Sequence, residues 1–305
     1  MIDFSELPIQ PADVFAAQER IAGGIKRTPC RHTRMAGLEL FLKFDNRQET
    51  HAFKERGALN KLLCLTDDEK ERGVIAASAG NHAQAVARHS GILGVNSTIV
   101  MPEGTPFNKI SRTQGFGARV VLHGSTFEAA KAHALELSES EGLTWISPFD
   151  DPLVMAGQGT LALEMLEDFP QIDTLVVPIG GGGLIAGCAV AAKAIDPYID
   201  VIGVQAALFP AMKAVLEGTE APVSRGRSLA EGIAVKEPGM LTRQVVAKLV
   251  SRIELVEETE IEDAINLLLE EEKTLAEGAG AAALAFVLAH PEQFEGKKVG
   301  IPICG

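Results

Sequence analysis

Thr50-His51-Ala52-Phe53-Lys54-Glu55-Arg56-Gly57-Ala58 sets one lysine behind a phenylalanine and directly ahead of an amphipathic run, Gly57-Ala58-Leu59-Asn60-Lys61-Leu62-Leu63. A lysine taken alone is a solvated surface charge, because a buried ammonium ion is costly. Two distant segments change the reading. Ser78-Ala79-Gly80-Asn81-His82-Ala83-Gln84 follows the apolar run at residues 73–77, and Gly180-Gly181-Gly182-Gly183-Leu184 follows the apolar run at residues 174–179. Each lies where a strand gives way to a helix. An amine that can bond an aldehyde thus shares the chain with a turn able to hold a carboxylate and a loop able to cradle a phosphate.

Working outward, short apolar runs alternate with helix-period stretches. Residues 40–44, 73–77, 97–101, 118–122, 174–179, 201–204 and 298–303 read as strands. Residues 81–89, 127–141, 159–168, 184–195 and 261–273 carry apolar side chains at three- and four-residue spacing and read as helices, with Gly142 and Pro170 as stops. The Ala-rich stretch 278–289 reads as a buried helix, too short to span a bilayer. Continuous apolar strands between helices predict an α/β fold with open, mostly parallel, twisted sheets covered by helices. In such sheets ligands sit beyond the carboxyl ends of the strands, where the Ser78 turn and the Gly180 loop both fall.

The chain has 305 residues, 46 % of them apolar and 23 % charged, with a formal charge of −13. That acidic balance argues against a nucleic-acid partner and reads as solubility. Cys30, Cys64, Cys188 and Cys304 form no CxxC pair, and no His/Cys cluster has zinc spacing. The first residues lack the basic start and apolar run of a signal peptide. A reduced cytoplasm is the expected setting, with no membrane partner.

Each motif has a plainer reading beside the chemical one. Four consecutive glycines can form a merely flexible turn, at a cost of about 1 kcal/mol each relative to alanine, or bring backbone N–H groups up to an anion. The run lacks the Lys-Ser/Thr of a Walker loop and does not match GxGxxG, which disfavours nucleotides. Ser78 or Asn81 can be an ordinary helix cap, or the turn can bind a carboxylate. His82 reads as a structural hydrogen-bonding partner, and Glu55-Arg56 as a surface or structural ion pair. For Lys54, desolvation or a neighbouring cation such as Arg56 would lower the pKa and favour bonding to a carbonyl.

In this order and spacing the three motifs resemble the fold type II pyridoxal-phosphate enzymes, the tryptophan-synthase-β-like group, and within it the threonine dehydratase and serine racemase branch. The similarity runs through Ser147-Pro148-Phe149-Asp150-Asp151, Ala156-Gly157-Gln158-Gly159-Thr160, Ala230-Glu231-Gly232-Ile233-Ala234-Val235 and Ala276-Glu277-Gly278-Ala279-Gly280-Ala281, covering roughly residues 10–305. It implies pyridoxal 5'-phosphate as cofactor, carried covalently by Lys54, which later moves the substrate Cα proton. It implies that Phe53 packs on the cofactor ring, Asn81 bonds the ring hydroxyl, and Gly180, Gly181, Gly182 and Gly183 bind the phosphate. Ser78 and the N–H groups of Gly80, Asn81 and His82 would hold the substrate carboxylate. Gly232 would approach the ring from the other side, and Cys304 would face the pyridine nitrogen as a neutral partner, which suits β-elimination.

The resemblance also implies a large cofactor domain (residues 1–71 and 150–305), a small inserted domain (residues 72–149), and a homodimer or homotetramer. This chain departs from the pattern at Ala52, where serine is common, and at Ser147, where histidine is common. Ala79 replaces the serine that acts as opposite-face base in serine racemase, which argues against racemisation. Gly203-Val204-Gln205 lacks the acid that binds a divalent cation in some relatives, so no metal is expected there. Relatives continue past the Cys-Gly pair, many with a small regulatory domain; this sequence ends at Gly305.

The expected activity is an ammonia-lyase acting on L-threonine and L-serine. Three rivals remain: a dehydratase for 3-hydroxyaspartate or another β-substituted amino acid, a β-replacement enzyme, and a non-catalytic member that binds cofactor or amino acid as a sensor. The 3-hydroxyaspartate reading would need an extra cation in the pocket for the second carboxylate.

Overall fold

The computed structural model describes residues 2–220 and 226–305. Its strands are β1 (Cys30–Met35), β2 (Leu38–Lys43), β3 (Val74–Ala77), β4 (Ser97–Met101), β5 (Arg119–Leu122), β6 (Thr144–Trp145), β7 (Thr174–Pro178), β8 (Asp200–Ala206), β9 (Arg252–Val256) and β10 (Lys298–Pro302). The helices are α1 (Pro11–Ile21), α2 (Lys54–Leu63), α3 (Asp67–Arg72), α4 (Asn81–Leu93), α5 (Phe107–Gly115), α6 (Phe127–Glu141), α7 (Pro152–Asp168), α8 (Gly183–Ile195), α9 (Ala211–Leu216), α10 (Met240–Leu249), α11 (Glu258–Glu271) and α12 (Gly278–Ala289).

The strands form two sheets, one in the order β1-β2-β10-β7-β8-β9 and one in the order β5-β4-β3-β6. Among the described residues only the β1–β2 pair is antiparallel. Because successive strand residues point to opposite faces, each apolar strand feeds two cores. In the larger sheet Phe41, Leu175 and Val177 pack toward α1, α7, α8 and α10, while Leu40, Leu42 and Val176 pack toward α11 and α12. α12 is apolar all round and accordingly buried over almost its whole length.

In the smaller sheet Val74, Ala76, Ile99 and Met101 meet α4 and also Ala58 and Leu62 of α2; Ile75, Ala77 and Val100 meet Ala130 and Ala134 of α6. α2 therefore packs on the small-sheet core on one side and on α7 on the other. Local signals agree with these elements. The Thr126 side chain accepts from Ala129 N–H to start α6, and Gly142, at φ 68°, ends it in the left-handed conformation that glycine adopts without penalty.

The expected strands and helices are present, with three strands added at or near sheet edges. β1 has one buried residue, Met35, β6 has two half-buried residues, and β9 buries only Ile253 and Val256. None of these is a continuous apolar run. The Ser78 turn follows β3 and the Gly180 loop follows β7, each just beyond the carboxyl end of a parallel strand, while the Lys54 segment follows β2 and meets Cys304, which follows β10.

Candidate active site

Lys54 is the first residue of α2 and half-buried. Its Nζ donates to the carbonyl of Pro148 at 2.6 Å and lies 5.0 Å from the centre of the Phe53 ring. Burial pushes its pKa down to about 8, against the smaller pull of Cys304 and Glu277. A large share of the amine is therefore neutral near pH 8. Arg56 plays no part in that shift. Its guanidinium is buried and matched by Asp45 at 2.7 Å and Glu164 at 2.8 Å.

Glu55 and Arg56 accordingly form neither a surface pair nor a pair with each other. Glu55 is also buried, with His89 Nε2 at 3.0 Å. The two side chains leave α2 in different directions, one toward α4 and one toward α7. They fix the helix that presents Lys54.

The glycine loop is tightly enclosed. A Cβ on Gly181 would overlap the Phe149 ring, and one on Gly183 would lie 2.9 Å from the Phe149 backbone. Gly182 has φ 98°, and a Cβ there would sit 2.8 Å from Thr242 Oγ1. Among the described residues the N–H groups of Gly180, Gly181, Gly182 and Gly183 meet no protein acceptor, and they lead into the N-terminus of α8. Unpaired donors at a helix start, approached without side chains, suit an anion.

The Ser78 turn is built on the same plan but open. Gly80 N–H donates to Ser78 Oγ at 3.1 Å, α4 begins at Asn81 without a side-chain cap, and a Cβ on Gly80 would meet nothing within 4 Å. His82 is buried, with Nε2 at 3.0 Å from the carbonyl of Ile146, so Nε2 carries the hydrogen. Burial pushes its pKa down to about 3, and the neutral ring ties α4 to the strand that precedes Ser147.

Contacts close these pieces into a ring. Lys54 meets Pro148, and the adjoining Phe149 packs on Gly181 and Gly183. Gly180 approaches Gly232, Gly232 approaches the Glu277 carboxylate, and that carboxylate accepts from Asn81 Nδ2 at 2.7 Å. Phe53 N–H donates to the carbonyl of Cys304 at 3.0 Å. The Cys304 thiol is buried, pushed up by burial, and 3.7 Å from the carbonyl of Ala279, so it is neutral. These contacts link Phe53, Lys54, Asn81, the glycine run, Gly232 and Cys304, with Ser78 and His82 on the turn that carries Asn81.

Glu277 was not among the site residues expected from the sequence. Burial raises its pKa, opposed by the Asn81 hydrogen bond. The signal was a lone carboxylate ahead of an entirely apolar helix, a position that needs a partner. A cleft of about 520 Å³ opens beside this ring, lined by Asn81, Gln84, Arg112 and Glu277.

Residues 21–305 match the model of the family described as pyridoxal-phosphate dependent enzyme. The chain belongs to the pyridoxal-phosphate-dependent enzyme family. It is 46 % identical to the L-threonine ammonia-lyase of Thermotoga maritima over 298 residues, 96 % of this chain and 74 % of that one. It is 46 % identical to the catabolic L-threonine dehydratase TdcB of Escherichia coli K12 over 289 residues, 93 % and 88 % of the two chains. It superposes on maize serine racemase with a TM-score of 0.93 at 32 % identity, over 98 % of this chain and 93 % of that one.

The residues fit the cofactor of this pyridoxal-phosphate enzyme: a lysine with a depressed pKa, a glycine run with unpaired N–H groups and a buried neutral thiol have the chemistry that an aldehyde, a phosphate and a ring nitrogen would need.

Proposed function

We propose that this enzyme is an ammonia-lyase that converts L-threonine and L-serine to a 2-oxo acid and ammonia. The observation that carries the reading is the low pKa of Lys54 at the junction of two anion-binding turns, one enclosed and one open. The two relatives at 46 % identity are named as acting on threonine. Pyridoxal phosphate, when bound, supplies the aldehyde that takes up the substrate amine and the ring that spreads the charge left on Cα.

The chain's own residues do the rest. Lys54 Nζ would hold the cofactor and, as a free amine, would take the Cα proton. Ser78 Oγ and the N–H groups of Gly80, Asn81 and His82 hold the carboxylate, fixing the Cα–H bond toward Lys54. Asn81 has two amide hydrogens; with one on Glu277, the other is free for the ring hydroxyl. Gly180, Gly181, Gly182 and Gly183 hold the phosphate. Gly232 and Phe53 would pack against the ring, and Cys304 would offer a neutral partner to its nitrogen. Ala79 leaves no hydroxyl to protonate the opposite face of Cα, which supports elimination over racemisation.

We also propose a large domain (residues 1–71 and 150–305) and a small one (residues 72–149). The containment of β3 to β6 within 72–149 supports that division. Domain closure on substrate should change small-angle scattering; an unchanged curve with a substrate analogue would count against it. A cytoplasmic homodimer or homotetramer fits the exposed Phe107, Tyr198 and Leu275, and light scattering counts the copies. Among the described residues no helix is long and apolar enough to cross a membrane.

The test is an absorbance scan of cofactor-reconstituted protein with L-threonine. Growth of 2-oxobutanoate supports the lyase; a cofactor band that shifts without product means another substrate; no cofactor band sinks the Lys54 assignment. One observation favours a second substrate. Arg112 lines the cleft beside Asn81 with no carboxylate partner among the described residues, the kind of cation that the second carboxylate of 3-hydroxyaspartate needs. Comparing kcat/KM for the two substrates, with and without Arg112→Ala, decides between them.

A further inference from the structure

The glycine loop is aimed by residues far from it in sequence. The Gly181 carbonyl accepts from two donors outside the loop, Thr242 Oγ1 at 2.6 Å and Gly239 N–H at 3.2 Å. Thr242 is fully buried near the start of α10. That helix has no side-chain cap of its own. Asp150, ninety or so residues earlier in the chain, takes the role: its carboxylate accepts from the N–H groups of Met240 at 2.9 Å, Leu241 at 2.9 Å and Thr242 at 3.1 Å. Gly239 is glycine for the same reason, since a Cβ there would overlap Asp150.

The peptide joining Gly181 to Gly182 is planar and trans, so its C=O and N–H point in opposite directions. Pinning the Gly181 oxygen against Thr242 turns the Gly182 N–H to the other side. Between two glycines this peptide flips easily, because neither residue has a Cβ to favour one orientation. Flipped, it would offer an anion a carbonyl oxygen in place of an N–H, replacing attraction with repulsion.

We propose that Thr242, held by Asp150, is the positioning residue that sets the polarity of the glycine loop toward a phosphate monoester. This rests on the reading of Gly180–Gly183 as the phosphate site. Asp150 belongs to the segment whose Pro148 carbonyl holds Lys54 Nζ and whose Phe149 ring packs on Gly181. One short stretch thus registers the amine and the anion site against each other.

The test measures the affinity of cofactor-stripped protein for pyridoxal phosphate and for pyridoxal, which lacks the phosphate. The ratio of the two reads the loop alone, because a merely destabilised fold weakens both ligands equally. We expect wild type to prefer the phosphorylated form strongly and Thr242→Val to lose about tenfold or more of that preference, as for a buried hydrogen bond left unmade. Thr242→Ser, which keeps the hydroxyl, should restore it.

A wild type with no preference overturns the phosphate-site reading itself. A wild type with preference and a Thr242→Val that keeps all of it overturns the positioning role alone. Should Thr242→Val not fold, Asp150→Asn serves, with a smaller loss in the same direction expected and an unchanged ratio overturning the proposal. The phosphorus NMR shift of bound cofactor gives a second readout independent of turnover.

Discussion

The Gly180 loop and the Ser78 turn have the same plan: a buried parallel strand, a glycine-bearing bend, a helix opening on unpaired N–H groups. Their surroundings differ. Side chains or backbone crowd Gly180, Gly181, Gly182 and Gly183, and Thr242 fixes the direction of the Gly181 carbonyl, whereas Gly80 has open space where a Cβ would go. Helix N-termini attract anions in both, so packing separates their uses. An enclosed, braced loop suits a group that stays; an open turn suits one that comes and goes with each turnover.

The contrast can be broken at several points. The largest effect is expected for Lys54→Ala, which removes the amine served by both turns: kcat should fall by about a thousandfold or more, and the cofactor absorbance should lose its protein-linked band. Next is Gly181→Ala, whose methyl group overlaps the Phe149 ring. It should cost about 3 kcal/mol in urea unfolding, or an equivalent loss of cofactor affinity. Ser78→Ala should raise KM for threonine by about ten- to a hundredfold, one hydrogen bond to a charged group, while cofactor affinity stays at the wild-type value. Loss of cofactor affinity there would mean that the two turns do not divide the work.

A tenfold effect per pH unit is expected for cofactor capture. Only the neutral Lys54 amine bonds an aldehyde, and its pKa is about 8, so the capture rate of cofactor-stripped protein should rise about tenfold per unit below pH 8 and level off above. A profile that levels near 10.5, the ordinary lysine value, would mean that Lys54 is solvated. The smallest effect is expected for Gly80→Ala, below about 1 kcal/mol by thermal unfolding, since the methyl meets nothing within 4 Å. If Gly80→Ala and Gly181→Ala cost the same, packing is not what distinguishes the turns.

Much of this was legible in the residues. Continuous apolar runs such as Thr174–Pro178 and Ser97–Met101 can satisfy their side chains only as strands buried on both faces, and the structure has both. The edge strand Cys30–Met35, Cys-Arg-His-Thr-Arg-Met, was not legible, because an edge needs a hydrogen-bonding neighbour more than an apolar pattern. Lys54, Ser78 and the glycine run stood out because their types and order are chemically specific. Glu277 did not, since a lone carboxylate ahead of an apolar helix signals the need for a partner without naming it, and the partner is Asn81, 196 residues away. Arg56 read as a surface or structural charge, yet Asp45, Thr160 and Glu164 converge on it from 11, 104 and 108 residues away.

By itself the sequence determined the alternating α/β fold, the strand-to-helix turns and the position of the candidate lysine, since these depend on periodicity and residue type within short windows. The tertiary structure alone decided how low the Lys54 pKa lies, which turn is enclosed, which way the Gly181 peptide faces and that Glu277 meets Asn81. Each of those depends on desolvation or on a hydrogen bond between residues far apart in the chain, and neither is encoded in any local pattern.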